Sequence, residues 1–136
     1  MSHRTLIIAA SITTALLAGS WGLERAIADA PAFKRVELQR HDLTIPDREA
    51  VVARAEFATG AATPKHTHPG EELGYVLEGE ITLEIDGKPA AKLKAGDSFF
   101  VPPGTAHLAR NAGKGAAAVV STYVIEKGKP LATPVK

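Results

Sequence analysis

Closely spaced turns constrain the fold of this 136-residue chain more than any other feature of its sequence. Beyond residue 50, short apolar runs are separated by glycine or proline breaks at intervals of about eight to twelve residues, which is typical of an all-β sandwich or barrel. Ile81, Leu83 and Ile85 alternate with polar residues, the period of a strand with one covered face. We therefore expect an all-β domain, and a barrel of this size can enclose one small ligand or site.

Individual strands and turns follow from the same pattern. Asp86-Gly87 favours a two-residue hairpin turn, and Pro102-Pro103-Gly104 must end the strand before it because proline cannot donate to a ladder. The alanines of residues 50–58 would also allow a helix. A turn is predicted over 43–49, and residues 127–136 are interpreted as a tail. The predicted strands are 36–40 at an edge, 50–58, 72–77, 81–85, 92–94, 98–101, 106–111 and 116–125.

The first thirty residues have the pattern of a secretory signal. Arg4 precedes an apolar run over 6–18, and Ala26-Ile27-Ala28 offers small residues at the spacing of a cleavage site. We predict a signal peptide over 1–28 and a single domain over 29–136. The apolar run is shorter than the roughly 20 residues that span a bilayer, although an uncleaved anchor or a buried first helix would also fit. Without a twin arginine, the general secretory route and a periplasmic or secreted location are expected.

Composition narrows the classes of partner. The chain has a formal net charge of +1, no cysteine and 23% charged residues. Acidic and basic residues are interleaved, so we expect no nucleic-acid partner. After removal of the signal we expect no stable membrane insertion, and no disulfide can form.

Histidine and glutamate are concentrated in a strand-forming stretch. His66 and His68 are two apart, which puts both imidazoles on one face of a strand. Glu72 follows shortly after, and His107 lies on a later strand. Three imidazoles and one carboxylate that meet inside a barrel suit a divalent transition metal, which would offset the cost of burying ionisable groups. Each residue alone also fits a surface position or a hydrogen-bonded core position, and Glu71 competes with Glu72 for the inward place.

Two fixed-spacing motifs carry a family resemblance. The first is Gly, five residues, His-x-His, three residues, Glu, six residues, Gly; the second is Gly, five residues, Pro-x-Gly, two residues, His, three residues, Asn. Both are met without a departure, and 16 residues separate them. With these motifs the chain resembles the cupins, specifically the small single-domain, quercetin-dioxygenase-like type. The matching residues are Gly60, His66, His68, Glu72 and Gly79, then Gly96, Pro102, Gly104, His107 and Asn111.

The resemblance implies a cupin jelly-roll β-barrel with one metal held by four residues. Its ligands would be His66, His68, Glu72 and His107. Gly60, Gly79 and Gly96 would be turn residues with backbone angles that only glycine adopts without strain. Pro102 and Gly104 would shape the loop before His107, and Asn111 would make a structural hydrogen bond. His41 is expected at the surface and His3 leaves with the signal.

These patterns determine the function less well than they determine the metal-binding residues. One divalent first-row ion is expected, with Mn, Fe, Co, Ni, Cu and Zn all compatible with such ligands. The resemblance implies an enzyme that acts on a small organic molecule, as a dioxygenase, isomerase or decarboxylase, with Glu72 able to act as a catalytic base. The alternative is a periplasmic cupin that binds metal or a small ligand without turnover. The few aromatic residues favour a small substrate, and a homodimer is expected, through a sheet face or by exchange of the strand at 36–40.

Overall fold

Ten strands and no helices make up the part of the chain that the computed structural model describes, residues 32–136. Within these residues there is accordingly no helix with the length and apolar character needed to cross a bilayer. The strands are β1 Phe33–Asp42, β2 Arg48–Phe57, β3 His66–Thr67, β4 Gly70–Glu78, β5 Glu80–Ile85, β6 Ala91–Lys94, β7 Ser98–Val101, β8 His107–Asn111, β9 Ala117–Glu126 and β10 Thr133–Pro134. The expected signal over 1–28 lies outside the described residues.

The strands form two five-stranded antiparallel sheets. The first has the order β1-β2-β9-β4-β7, and the second has the order β10-β3-β8-β5-β6. Neighbouring strands are mostly far apart in the chain, as in β2 beside β9 and β4 beside β9. This arrangement is the jelly-roll that the resemblance implied. The predicted edge strand is present as β1, which pairs with β2 of the same chain.

A core between the sheets holds them together. Ile81 of the second sheet packs with Phe57 and Val76 of the first, and a second cluster contains Val51 and Ile125. Burying one such side chain completely stabilises the fold by about 1.5–3 kcal/mol. Along β9 the polar Ser121 interrupts the inward-facing apolar residues and is itself buried. The interior therefore has a polar layer between two apolar clusters.

The predicted turn at Asp86-Gly87 is present, and the Lys88 N–H closes it by donating to the Ile85 carbonyl at 3.0 Å. The strands pair only beyond this turn, however, because five residues, 86–90, separate β5 from β6 and the last pair of the ladder is Leu83 with Ala91. Pro89 explains this separation, because it has no N–H to pair with the opposite strand. Gly87 still adopts the positive φ that a turn requires.

The C-terminal segment is ordered onto the second sheet and is more than a tail. Thr133 and Pro134 form β10, which pairs with Thr67 and His66 of β3. The Val135 N–H donates to the Lys65 carbonyl at 2.9 Å. Period-2 patterning could not reveal this strand because it is two residues long and contains a proline.

Candidate metal centre

The structure brings the four predicted site residues together between the sheets. His66, His68, Glu72 and His107 are each at most 5% exposed. His66 on β3 is paired with His107 on β8 in the second sheet, whereas Glu72 comes from β4 of the first. The cluster therefore spans the interior and draws its side chains from both layers.

Ring nitrogens and the carboxylate lie within a few ångströms of one another. Glu72 Oε2 is 3.1 Å from His68 Nε2 and 3.2 Å from His107 Nε2. The three histidines each offer a ligand atom within 4.8 Å of the others. These spacings are compact enough for one ion to contact the three imidazoles, and the Glu72 carboxylate lies beside two of them.

Backbone carbonyls select the same tautomer for all three histidines. The Nδ1 atoms contact the carbonyl oxygens of Pro64, Leu131 and Thr105, at 2.7, 2.5 and 2.9 Å for His66, His68 and His107 in turn. A carbonyl oxygen can only accept, so each Nδ1 carries the proton and each Nε2 presents a lone pair. Backbone acceptors of this kind are the usual outer contacts of metal-bound histidine.

The donor set fits a divalent ion. His68 Nε2 is buried and has no well-directed hydrogen-bond partner. With Nδ1 protonated, His68 Nε2 and His107 Nε2 both face the anionic Glu72 Oε2, so a cation between them, either a proton in the metal-free chain or a bound metal ion, is needed to offset the repulsion of their lone pairs. Imidazole with carboxylate suits several first-row divalent ions, so this chemistry names a class of metal and no single member.

Contacts with neighbours set the ionisation of Glu72. Burial by itself would raise the pKa of Glu72, but the contacts with His107 and His68 outweigh it, and Ser121 Oγ donates to Oε1 at 2.7 Å. Together they hold the pKa of Glu72 well below its ordinary value of 4.5. Glu72 is therefore an ionised acceptor throughout the neutral range.

Burial keeps His66 and Tyr123 neutral. Burial lowers the pKa of His66 from 6.5 to about 4, against the opposing effect of the Pro64 carbonyl. Burial, together with the nearby Glu72 charge, raises the pKa of Tyr123 above its ordinary value of 10. Tyr123 packs edge-on against His68, with ring centroids 4.7 Å apart. Both groups are uncharged at neutral pH, so the ionised carboxylate is not neutralised by a His66 imidazolium.

The second motif builds the loop that presents His107. Gly104 adopts a φ of 65° and its N–H donates to the His68 carbonyl at 3.0 Å, which ties this loop to the first motif. Asn111 makes the expected structural hydrogen bonds, because its Nδ2 donates to the Ala58 and Gly115 carbonyls at 3.1 and 2.8 Å. Gly79 at a φ of 74° has no room for a Cβ, which would lie 2.5 Å from the Ala116 carbonyl oxygen.

Solvent exposure distinguishes Glu72 from its competitor Glu71. Glu72 points inward at 5% exposure, while the neighbouring Glu71 is half-buried on the opposite face. His41 is exposed, as expected. His3 lies outside the described residues.

Sequence patterns missed three residues that line the cavity at the cluster. Arg35, Ser121 and Tyr123 line a cavity of about 30 Å³ beside His66 and the carboxylate. Arg35 comes from the edge strand β1, and the other two lie two residues apart on β9. The alternation along β9 could have predicted that Ser121 faces the interior. No pattern within β1 predicts that Arg35 reaches the cavity.

Comparison with known proteins identifies the family. The sequence profile of the cupin domain matches residues 53–123, more than half of the chain. The chain therefore belongs to the cupin family, and two buried motif segments on a jelly-roll agree with that assignment.

Two curated relatives match about half of this chain. The chain is 39% identical over 77 residues to germin-like protein subfamily 2 member 2 of Arabidopsis thaliana, which covers 53% of this chain and 35% of that protein. It is 33% identical over 78 residues to oxalate oxidase 2 of Hordeum vulgare, covering 52% of this chain and 35% of that protein. The match thus spans about a third of the length of these curated relatives.

Solved structures agree on the fold. An oxalate oxidase in complex with the substrate analogue glycolate superposes with a TM-score of 0.64 at 27% identity, covering 79% of this chain and 57% of that one. An RmlC-like cupin from Shewanella frigidimarina gives a TM-score of 0.57 at 28% identity, with 74% of this chain and 82% of that one covered.

Proposed function

We propose that this cupin binds one divalent first-row transition metal ion through His66, His68, Glu72 and His107 and acts as a metal-dependent enzyme on a small organic molecule. The main support is that a backbone carbonyl holds the Nδ1 proton of each histidine, so that all three Nε2 atoms can bind a metal, and two of them lie beside the Glu72 carboxylate. Similarity to oxalate oxidases, one of them bound to glycolate, supports chemistry on a small molecule.

The cavity limits the size of the substrate. A volume of about 30 Å³ holds only a few heavy atoms, far less than the several hundred Å³ of a pocket for a drug-sized ligand. A flavonol-sized substrate does not fit this cavity, so the proposal is for a small substrate. The apolar Phe57, Leu83 and Val119 line the same cavity, so part of its wall is apolar.

Each polar residue has a distinct part in this site. A bound divalent ion supplies Lewis-acid chemistry toward a substrate oxygen. Ser121 fixes one oxygen of Glu72, which leaves the other oxygen directed at the histidines. Tyr123 keeps its proton and packs against His68, where it restricts the orientation of that ring.

A second candidate function is binding without turnover. A general base works best with a pKa near the operating pH, and the pKa of Glu72 is held well below 4.5. Such a carboxylate is a good ligand and a poor base. In the metal-free chain this direction of the pKa favours a ligand role for Glu72, as in a cupin that sequesters metal or a small ligand, and conversion of a substrate decides between the two functions.

Replacing Glu72 by Gln separates these functions. If Glu72 acts as a base, the Glu72→Gln variant loses at least about a hundredfold in kcat while metal affinity falls by a smaller factor. Oxygen uptake and product formation are measured on a panel of phenols, diketones and keto acids, and metal affinity by competition with a chelator. The matched control is Glu71→Gln, whose side chain faces away from the site. Equal losses of activity and metal would remove the base role, and binding without conversion across the panel would favour sequestration.

We also propose export and cleavage after Ala28, on the pattern of residues 1–28 alone. N-terminal sequencing of the protein recovered from the periplasm should begin at Asp29. A chain that retains residue 1 in that fraction would contradict cleavage.

A further inference from the structure

Arg35 brings a guanidinium to the candidate metal centre from a strand outside both motifs. It lies on β1, opposite Ala55 of β2. Its Nη2 is 3.4 Å from His66 Nε2, and its side chain lines the same cavity as Glu72 and His107. Arg35 therefore faces the place where a substrate would meet the metal ligands.

This guanidinium has little compensation from the protein. Its Nε is buried and has no hydrogen-bond partner. No ion pair found in residues 32–136 includes Arg35, and the nearby Glu72 is already engaged by Ser121. The Phe33 ring, with its centroid 5.7 Å away, provides a weak cation–π contact. A partly buried cation with unused donors is costly unless an anion joins it.

Metal binding would release Arg35 from its contact with His66. His66 Nδ1 carries the proton because it contacts the Pro64 carbonyl, so Nε2 has one lone pair. A guanidinium N–H and a metal ion cannot both use that lone pair. A divalent ion and Arg35 then bring three positive charges against the single negative charge of Glu72, and the site needs a further anion to balance them.

We propose that Arg35 forms an anion subsite beside the metal centre and that the ligand of this cupin is a small monocarboxylate of a few heavy atoms. A planar carboxylate matches the fork of the guanidinium. This inference rests on the proposed function, because the excess positive charge depends on a bound metal. It deepens that proposal by naming the charge and size of the substrate.

A groove outside the cavity gives the ligand an approach past Arg35. This outer groove has a volume of about 210 Å³ and shares Arg35, Thr63 and His66 with the inner cavity. Phe33 and Pro134 are among its other lining residues. A carboxylate in the groove meets the guanidinium and His66 at the shared wall, ahead of His107 and Glu72 in the inner cavity.

The test measures metal affinity and anion affinity separately in Arg35 variants. Zn²⁺ affinity is measured by chelator competition, and acetate and acetamide are titrated calorimetrically into the Zn²⁺-loaded protein. Acetate should bind and the uncharged, similarly sized acetamide should bind at least tenfold more weakly. Arg35→Gln should weaken acetate binding by about ten- to a hundredfold while Zn²⁺ affinity stays equal or rises, since a competitor for His66 is lost. Arg35→Lys should fall between the two.

Controls keep the outcomes distinguishable. Arg54→Gln removes an exposed positive charge from the same sheet, where Arg54 pairs with Glu56, and should leave both affinities unchanged. If Zn²⁺ binds and the acetate affinity of the Arg35→Gln protein equals that of the wild-type protein, the anion subsite is overturned. The metal centre is unaffected by that result. If the wild-type protein binds neither Zn²⁺ nor any other first-row divalent ion, both proposals are overturned; if another of these ions binds instead, the same titrations are made with that ion. If Arg35→Gln fails to fold, Arg35→Lys decides, and acetate affinity equal to wild type in that variant would contradict a role for the fork.

Discussion

At the scale of single residues, motif spacing predicted the four candidate ligands but not the side chains that surround them in the cavity. His66 and His68 are two residues apart, so local geometry predicts that they share a face, and the motif spacing adds Glu72 to them. Arg35 and Ser121 reach the same cavity only through the pairing of β1, β2, β9 and β4. Such contacts depend on the register of distant strands, which no local pattern reports.

Ionisation of the buried site predicts how the metal-free protein responds to acid. The pKa of His66 is about 4 in the folded chain and 6.5 without its surroundings. Between those values the unfolded chain binds a proton that the folded chain does not, so stability falls as the pH drops from 6.5 to 4. The pKa of Glu72 is also lowered by folding, so its stabilising contribution is lost as the pH falls below 4.5.

Urea unfolding in the presence of a chelator measures this dependence. The midpoint should decrease steadily between pH 7 and pH 4. His66→Gln, which has no titrating ring at that position, should show a shallower decrease over the upper part of the range. Identical pH profiles for the variant and the wild-type protein would contradict the assigned burial effect on His66.

At the scale of secondary-structure elements, long strands followed from alternation and short ones did not. The predictions over 50–58 and 116–125 correspond to β2 and β9 with small shifts of their ends. Their many apolar positions make the period visible. β10 has two residues and pairs only with another two-residue strand, so its existence depends on the tertiary fold.

The C-terminal segment should affect metal binding although it contains no ligand. Leu131 provides the carbonyl that accepts from His68 Nδ1, and β10 anchors this segment to β3. A chain that ends at Pro130 should bind metal about ten- to a hundredfold more weakly, the usual cost of losing an outer contact of a histidine ligand. Chelator competition measures the change.

The side chain and the carbonyl of Leu131 can be separated by a matched variant. Leu131→Ala keeps the carbonyl and removes the side chain that packs on Val51, Ala53, Tyr123 and Ile125. It should lower thermal stability and retain most of the metal affinity. If Leu131→Ala and the truncated chain lose metal equally, the carbonyl contact is not what matters.

At the scale of the whole molecule, the class of fold was accessible from the sequence because two motifs with fixed spacing mark one jelly-roll. Assembly was not accessible in the same way. The first sheet leaves Leu73, Tyr75, Leu77 and Phe100 exposed by 42–52% on or beside its edge strand β7. Single exposed apolar residues are ordinary, but a contiguous group of them marks a contact surface.

A homodimer therefore remains our prediction for the protein in solution. Leu73 and Phe100 are cross-strand neighbours, and covering them with a second copy would remove their apolar surface from water. Light scattering at micromolar concentration should give twice the chain mass, and Leu73→Lys should shift the protein toward the monomer. A monomer mass for the wild-type protein would reject the dimer.

The central claim is that three imidazoles and one carboxylate hold a single ion between the two sheets. Native mass spectrometry with elemental analysis of the purified protein measures it most directly. We predict one first-row divalent ion per chain, which is lost when His107 is replaced by Gln while Glu71→Gln retains it. A wild-type chain that takes up no ion from any of Mn²⁺, Fe²⁺, Co²⁺, Ni²⁺, Cu²⁺ and Zn²⁺, or a His107→Gln chain that binds as tightly as wild type, would contradict it.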